Sequence, residues 1–224
     1  MPTLHIANKN YSSWSLRPWI LMTELGIPFK ESLNQFTADS NFKSFSPTGL
    51  VPCLVDGDAV VWESLAIVEY LAEQHPHVWP SDKAARTWAR SATSEMHAGF
   101  SALRNQCPMS CGIRVKLQTL SPELKKEIAR LNELWGQGLD RFGGPFLAGK
   151  TFTAVDAYYA PVCFRAQSFG LELSPEAEAY KHQILNLPSM QAWYEAGLKE
   201  TWRDVPHEDE IMALGEITED LRAV

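Results

Sequence analysis

The sequence predicts an α/β N-terminal domain over residues 1–78, a linker over 79–87 and an all-α C-terminal domain over 88–224. Three observations carry this. The opening stretch reads strand, helix, strand, a proline-containing segment, a hairpin and a helix. Pro76, Pro80 and Ser81-Asp82 punctuate the chain where that order ends. From Ala84 onward apolar residues recur almost only at helical spacing, broken at Gly143-Gly144-Pro145, Gly170 and Pro188.

Taken in order, Thr3 to Ala7 alternate weakly and suit a strand. A polar loop, Asn8 to Ser15, leads to Leu16, Trp19, Ile20, Met22 and Leu25 at helical spacing, and Gly26 stops that helix. Pro18 is expected in its first turn, where a missing N–H does no harm. Phe29 to Phe36 suits a second strand. The apolar runs around Gly57-Asp58, ending in Ala59 to Trp62, predict a hairpin. Leu65, Ile67, Val68 and Leu71 predict a helix to Gln74. Further helices are expected over Ala85–Leu103, Pro122–Phe142, Val155–Phe169, Pro175–Leu185 and Pro188–Thr201.

The chain has 224 residues, 45% hydrophobic and 21% charged, which is the composition of an ordinary soluble globular protein. It carries 20 basic against 27 acidic residues, net -7, which excludes nucleic acid and an anionic membrane as partners. The longest uncharged stretch, Ser44 to Val55, contains two prolines and falls well short of the roughly 20 residues a spanning helix needs. The cysteines Cys53, Cys107, Cys111 and Cys163 form no C-x-x-C pair, so a reduced, cytoplasmic protein with free thiols and no metal is expected.

Four places hold candidate chemistry. The loop Asn10-Tyr11-Ser12-Ser13-Trp14-Ser15 sits before a helix, whose N-terminus offers free N–H groups to an anion. Val51-Pro52 lies between apolar segments, where a proline interrupts a ladder and leaves backbone groups open to a ligand. Glu63-Ser64 stands where the last strand meets a helix, with Ser64 placed to cap it. Thr153 and Asp156 form a capping box before an apolar helix, a structural role.

Together, in this order and spacing, these residues resemble the glutathione transferase superfamily. The matching positions are Ser12-Ser13-Trp14-Ser15-Leu16-Arg17, Gly49-Leu50-Val51-Pro52, Glu63-Ser64, and Leu147-Ala148-Gly149-Lys150 with Thr153 and Asp156. The first loop is most similar to the zeta class, the maleylacetoacetate isomerase-like branch, whose pattern is Ser-Ser-Cys-x-x-Arg. Trp14 stands where that class has its cysteine. The resemblance implies a thioredoxin-like N-terminal domain, glutathione as co-substrate without a metal, and a homodimer acting in detoxification. It implies that Ser12, or alternatively Ser13, donates a hydrogen bond to the glutathione sulfur. A free thiol with a pKa near 8.5 is otherwise only a few per cent ionised at neutral pH. Val51 would pair with the cysteinyl backbone beside a cis Pro52, Glu63 and Ser64 would take the γ-glutamyl end, and Lys43, in a weakly patterned second-helix segment, the glycyl carboxylate. Tyr11, Trp14, Phe100 and Arg104, with Met96 and Arg114 as further candidates, would line the pocket for a small hydrophobic electrophile. The broken segment Asn105 to Gly112 would shape that pocket.

Three functions fit this reading: conjugation of glutathione to electrophiles, cis–trans isomerisation of a maleyl-type dicarboxylate bound by Arg17, Arg104 or Arg114, and a non-catalytic binding or regulatory module. A thiol–disulfide oxidoreductase does not fit, because Ser12 and Ser15 stand where its C-x-x-C would be and disulfide exchange needs a thiolate.

Overall fold

A computed structural model describes residues 1–37 and 40–223. The N-terminal part folds as β1 (Thr3–Ala7), α1 (Ser13–Glu24), β2 (Lys30–Asn34), a short 3-10 turn (Phe42–Ser44), β3 (Cys53–Asp56), β4 (Ala59–Trp62) and α2 (Ser64–Ala72). Its sheet runs β2-β1-β3-β4. β1 and β2 are parallel, whereas β3 is antiparallel to both β1 and β4. The hairpin closes at Gly57, which takes φ 58°, a backbone conformation glycine adopts without a Cβ clash. Leu4, Ile6 and Leu54 on the strands and Leu16, Ile20, Ile67 and Val68 on the helices are fully buried and form this part's core.

The C-terminal part is helical: α3 (Lys83–Ala98), α4 (Ser101–Gln106), α5 (Pro122–Phe142), α6 (Ala154–Phe169), α7 (Pro175–Leu185), α8 (Pro188–Lys199) and α9 (Val205–Leu214). A two-stranded ribbon is added to it: β5 (Ile113–Leu117) pairs antiparallel with β6 (Gly215–Asp220). α6 is mostly apolar and almost wholly buried, as expected of a helix at the centre of a bundle. Its N-terminus is held by Asp156, whose carboxylate accepts from the Thr153 N–H (2.9 Å), the Leu147 N–H (2.9 Å) and the Tyr180 hydroxyl (3.0 Å). No helix among the described residues is long and apolar enough to cross a membrane.

Three local expectations are corrected. α1 begins at Ser13, three residues before the first apolar position, so Pro18 lies in its second turn. The run expected as one helix over Ala85–Leu103 is two, because Phe100 takes a left-handed φ of 52° after Gly99. Lys43 sits in a three-residue 3-10 turn, not a helix.

The chain's end straps the two parts together. Arg222 is buried, and its guanidinium donates to Glu208 (2.5 and 2.9 Å), Asp220 (2.7 and 2.9 Å) and the Tyr11 hydroxyl (3.3 Å). Hydrogen bonds from Arg222 hold the Asp220 carboxyl below its ordinary value of 3.8. A carboxyl whose folded pKa is depressed stabilises the fold above its unfolded value and loses that contribution as pH falls through the folded one. The strap is therefore expected to loosen as pH drops below about 4. Amide exchange across Glu216–Asp220 tests this: exchange should rise relative to α6 on acidification, and Arg222→Met should show that rise already at neutral pH.

Candidate functional site

Topology alone gathers the candidates. β1 ends where the Asn8–Ser12 loop begins, β3 begins just after Val51-Pro52, and β4 ends just before Glu63. Because β3 is antiparallel to both neighbours, with Cys53 opposite both His5 and Trp62, these three junctions share one end of the sheet. The C-terminal end of the parallel β2 joins them, and the Phe36 N–H donates to Asn8 Oδ1 at 2.7 Å.

At the first junction both serines are buried, but their hydroxyls are used differently. Ser12 is the N-cap residue of α1 but makes no side-chain capping bond, and it donates its hydroxyl proton to Ser15 Oγ at 2.7 Å. Ser13 Oγ accepts from Arg165 Nη2 at 3.2 Å, which leaves its own proton free. Arg165 is buried on α6 and also donates to the carbonyls of Arg104 (3.1 Å) and Cys107. Arg17, fully buried, donates to the carbonyls of Tyr158 (3.3 Å) and Ser13 (3.2 Å). Its guanidinium lies 4.0 Å from the Trp14 ring centre, and that of Arg104 lies 5.4 Å from it. No carboxylate pairs with Arg17, Arg104 or Arg165 among the described residues, and Arg17 Nη2, Arg104 Nε and Arg165 Nε have no hydrogen-bond partner. Burial, reinforced by the neighbouring guanidiniums, pulls Arg17 down to about 9 and Arg165 to about 10. Positive charge with no carboxylate in ion-pair contact among the described residues, at the N-terminus of a helix, makes this an anion-favouring corner.

At the second junction the Val51–Pro52 peptide is cis. Val51 precedes β3 and has no backbone hydrogen bond among the described residues. At the third, Glu63 is exposed at φ 71° and is itself the N-cap residue of α2. This corrects the expected cap: Ser64 is the first helical residue, and its buried hydroxyl meets the Tyr158 hydroxyl at 2.8 Å instead. A non-glycine residue held at positive φ is costly and recurs at functional sites. Lys43 is exposed, forms no ion pair among the described residues, and packs its stem within 3.2 Å of where a Gly49 Cβ would stand.

A cavity of about 340 Å³ opens between the two parts of the chain. It brings together Tyr11, Ser12, Ser13, Trp14, Val51 and Arg104 from the expected set. Asn105, Pro108 and Met109 of the broken segment line it too. Phe100 is not brought there: it is buried edge-on against Tyr159, because its left-handed turn directs the ring into the helical core. Met96 is likewise core, and Arg114 turns onto the carbonyls of Cys111 and Ile113. Glu63, Ser64 and Lys43 lie outside the cavity lining. A larger cavity of about 630 Å³, around Val115, Ile128 and Leu171, holds none of these groups.

The sequence reading missed Arg165, whose signal is the one basic residue in a largely apolar helix, and His207, which also lines the cavity. The chain's own thiols are poor nucleophiles. All four cysteines are free and buried, and burial pushes Cys107 up to about 12 and Cys53, Cys111 and Cys163 upward as well. Among the described residues no group of His, Cys, Asp or Glu is arranged to hold a metal.

The family models for the glutathione S-transferase N-terminal and C-terminal domains match residues 11–74 and 86–196, together most of the chain. The chain belongs to the glutathione S-transferase family. Among this transferase-family chain's relatives is a probable maleylacetoacetate isomerase from Caenorhabditis elegans, 28% identical over 182 residues and spanning 78% of this chain and 83% of the relative. Another is glutathione S-transferase Z2 from Arabidopsis thaliana, 27% identical over 201 residues, 82% of this chain and 88% of that one. A solved Burkholderia glutathione transferase homolog, with glutathione bound in that structure, superposes with a TM-score of 0.66 at 21% identity over 88% of this chain and 97% of that chain. That likeness is one of fold.

Proposed function

We propose that this chain conjugates the glutathione thiolate to small hydrophobic electrophiles. The observation that carries the reading is the convergence, at one sheet end, of three features that complement a peptide thiolate. They are a backbone edge left open at Val51, a helix start with the strained Glu63, and the uncompensated guanidiniums at the start of α1. Val51 pairs the cysteinyl backbone as an added strand would. Glu63 meets the γ-glutamyl ammonium, the N–H groups opening α2 meet its carboxylate, and Lys43 meets the glycyl carboxylate. Ser13, rather than Ser12, supplies the hydrogen bond to sulfur, since Ser12 already gives its proton to Ser15. Tyr11, Trp14 and Arg104 frame the electrophile. The site has no low-pKa thiol of its own, so the reacting sulfur comes from the bound peptide. The protein works as a cytoplasmic homodimer in this reading.

The guanidinium cluster and the isomerase among the relatives favour a second reading, in which the electrophile carries carboxylates and leaves again after a double bond has rotated. Turnover of a maleyl-type dicarboxylate without net glutathione loss would mark that reaction.

Calorimetry with glutathione, followed by a turnover assay with chlorodinitrobenzene, tests the proposal. Binding that weakens at least tenfold in Glu63→Ala, together with measurable conjugation, is the expected result. Absence of glutathione binding by the unaltered protein would leave only the non-catalytic module.

A further inference from the structure

We propose that His207, oriented by Asp204, is a proton-donating group of this site, and that it suits the enzyme to electrophiles whose conjugation needs a proton, such as epoxides. The inference rests on the glutathione reading above.

The geometry is that of a carboxylate–imidazole pair. Asp204, the buried N-cap residue of α9, bonds to His207 Nδ1 one turn on. The imidazole stacks on Tyr11 (ring centres 4.9 Å apart) and on Phe36 (5.3 Å), so it is clamped between the loop before α1 and the segment after β2. With Nδ1 committed to Asp204, the other ring nitrogen, Nε2, has no partner among the described residues, and the ring lines the same cavity as Ser13 and Arg165. A carboxylate at Nδ1 fixes the ring's orientation. The charged groups around it are few. On α9, Glu208 is bound by the Tyr11 hydroxyl and Arg222, and Glu210 lines the cavity. The Tyr11 phenol is pushed far up, chiefly by burial and by its bond to Glu208, and its proton is already committed to that carboxylate. His207 Nε2 is therefore an unpaired ring nitrogen on this wall, beside Glu210.

The cavity thus has two walls with different tasks. The Ser13–Arg165 wall holds sulfur as the thiolate, its proton passing to water. Sulfur then attacks a ring carbon of the epoxide, the S–C bond forms and the C–O bond breaks. The oxygen takes the Nε2 proton from His207 as it leaves, and His207 regains one from water. Halide displacement needs no such proton, since the halide departs as an anion.

Comparing two electrophiles separates this role from a packing role. In His207→Gln, kcat/KM for styrene oxide should fall about a hundredfold, the lower range for general acid catalysis. That loss should exceed the loss on chlorodinitrobenzene by at least tenfold. Asp204→Asn should reproduce the selective loss in part. Glutathione affinity, read by calorimetry on the same samples, should be unchanged in both variants. Equal losses on the two electrophiles, or no epoxide turnover by the wild type, would overturn the proposal. A wild type that fails to bind glutathione would instead overturn the reading beneath it.

Discussion

Replacing Asp156 by alanine is expected to cost about 4 kcal/mol of folding stability, within the range for breaking a buried charged network. Four donors lose their acceptor at once: the Leu147 and Thr153 N–H groups and the Thr153 and Tyr180 hydroxyls. Asp156 and Tyr180 are both buried, so water does not replace the lost bonds, and each orphaned donor costs about 1–3 kcal/mol. Against a total stability of roughly 5–15 kcal/mol, that loss leaves a marginal protein. The effect reaches the site through α6, which carries Arg165 toward Ser13 and the Tyr158 hydroxyl toward Ser64. Urea unfolding of Asp156→Ala should show a midpoint shift with unchanged slope. Asp156→Asn, which keeps one acceptor oxygen, should lose less. An Asp156→Ala protein as stable as wild type would show that the buried donors find other partners.

Ser13→Ala is the second large effect, and it is one of rate. A hydrogen bond to a charged acceptor contributes about 1.5–3 kcal/mol, so kcat/KM on chlorodinitrobenzene should fall between about tenfold and 150-fold. Ser12→Ala should cost less than Ser13→Ala, because it removes the bond to Ser15 Oγ and no donor to sulfur. Arg165→Met should lower the rate too, by freeing the Ser13 hydroxyl to rotate and by removing positive charge from the corner. The reverse ranking of the two serine variants would return the donor role to Ser12.

Most elements fixed by local chemistry were legible. Gly57-Asp58 marked the hairpin, and the bounds of α5 and α7 followed from Pro122 and Pro175 at their starts. Three site junctions were legible as well, because each is a local backbone device before or after a strand. What was hidden depends on distant residues. The ribbon of β5 and β6 joins strands about a hundred positions apart; Ile113, Val115 and Leu117 alternate, but nothing local names their partner. The split between α3 and α4 was hidden because a lone glycine in a helical pattern is tolerated, and only the turn at Phe100 ends the helix. The sequence ranks Ser12 ahead of Ser13 by spacing to Arg17, and the contact that sets the two hydroxyls apart, from Arg165 on α6, is not local. The Asp204 and His207 pair had a local signal, an acidic cap one turn before a histidine, but its value depends on Tyr11 and Phe36 closing over the ring.

The central claim is that the start of α1, with Ser13 and the buried guanidiniums, binds glutathione as its thiolate. Titrating the ultraviolet thiolate absorbance of the complex with pH tests it most directly. The midpoint is expected at least one unit below the ~8.5 of a free thiol, a difference of about 1.4 kcal/mol per unit, and it should move back upward in Ser13→Ala. A bound thiol that titrates at the free value in the wild-type protein would contradict the claim.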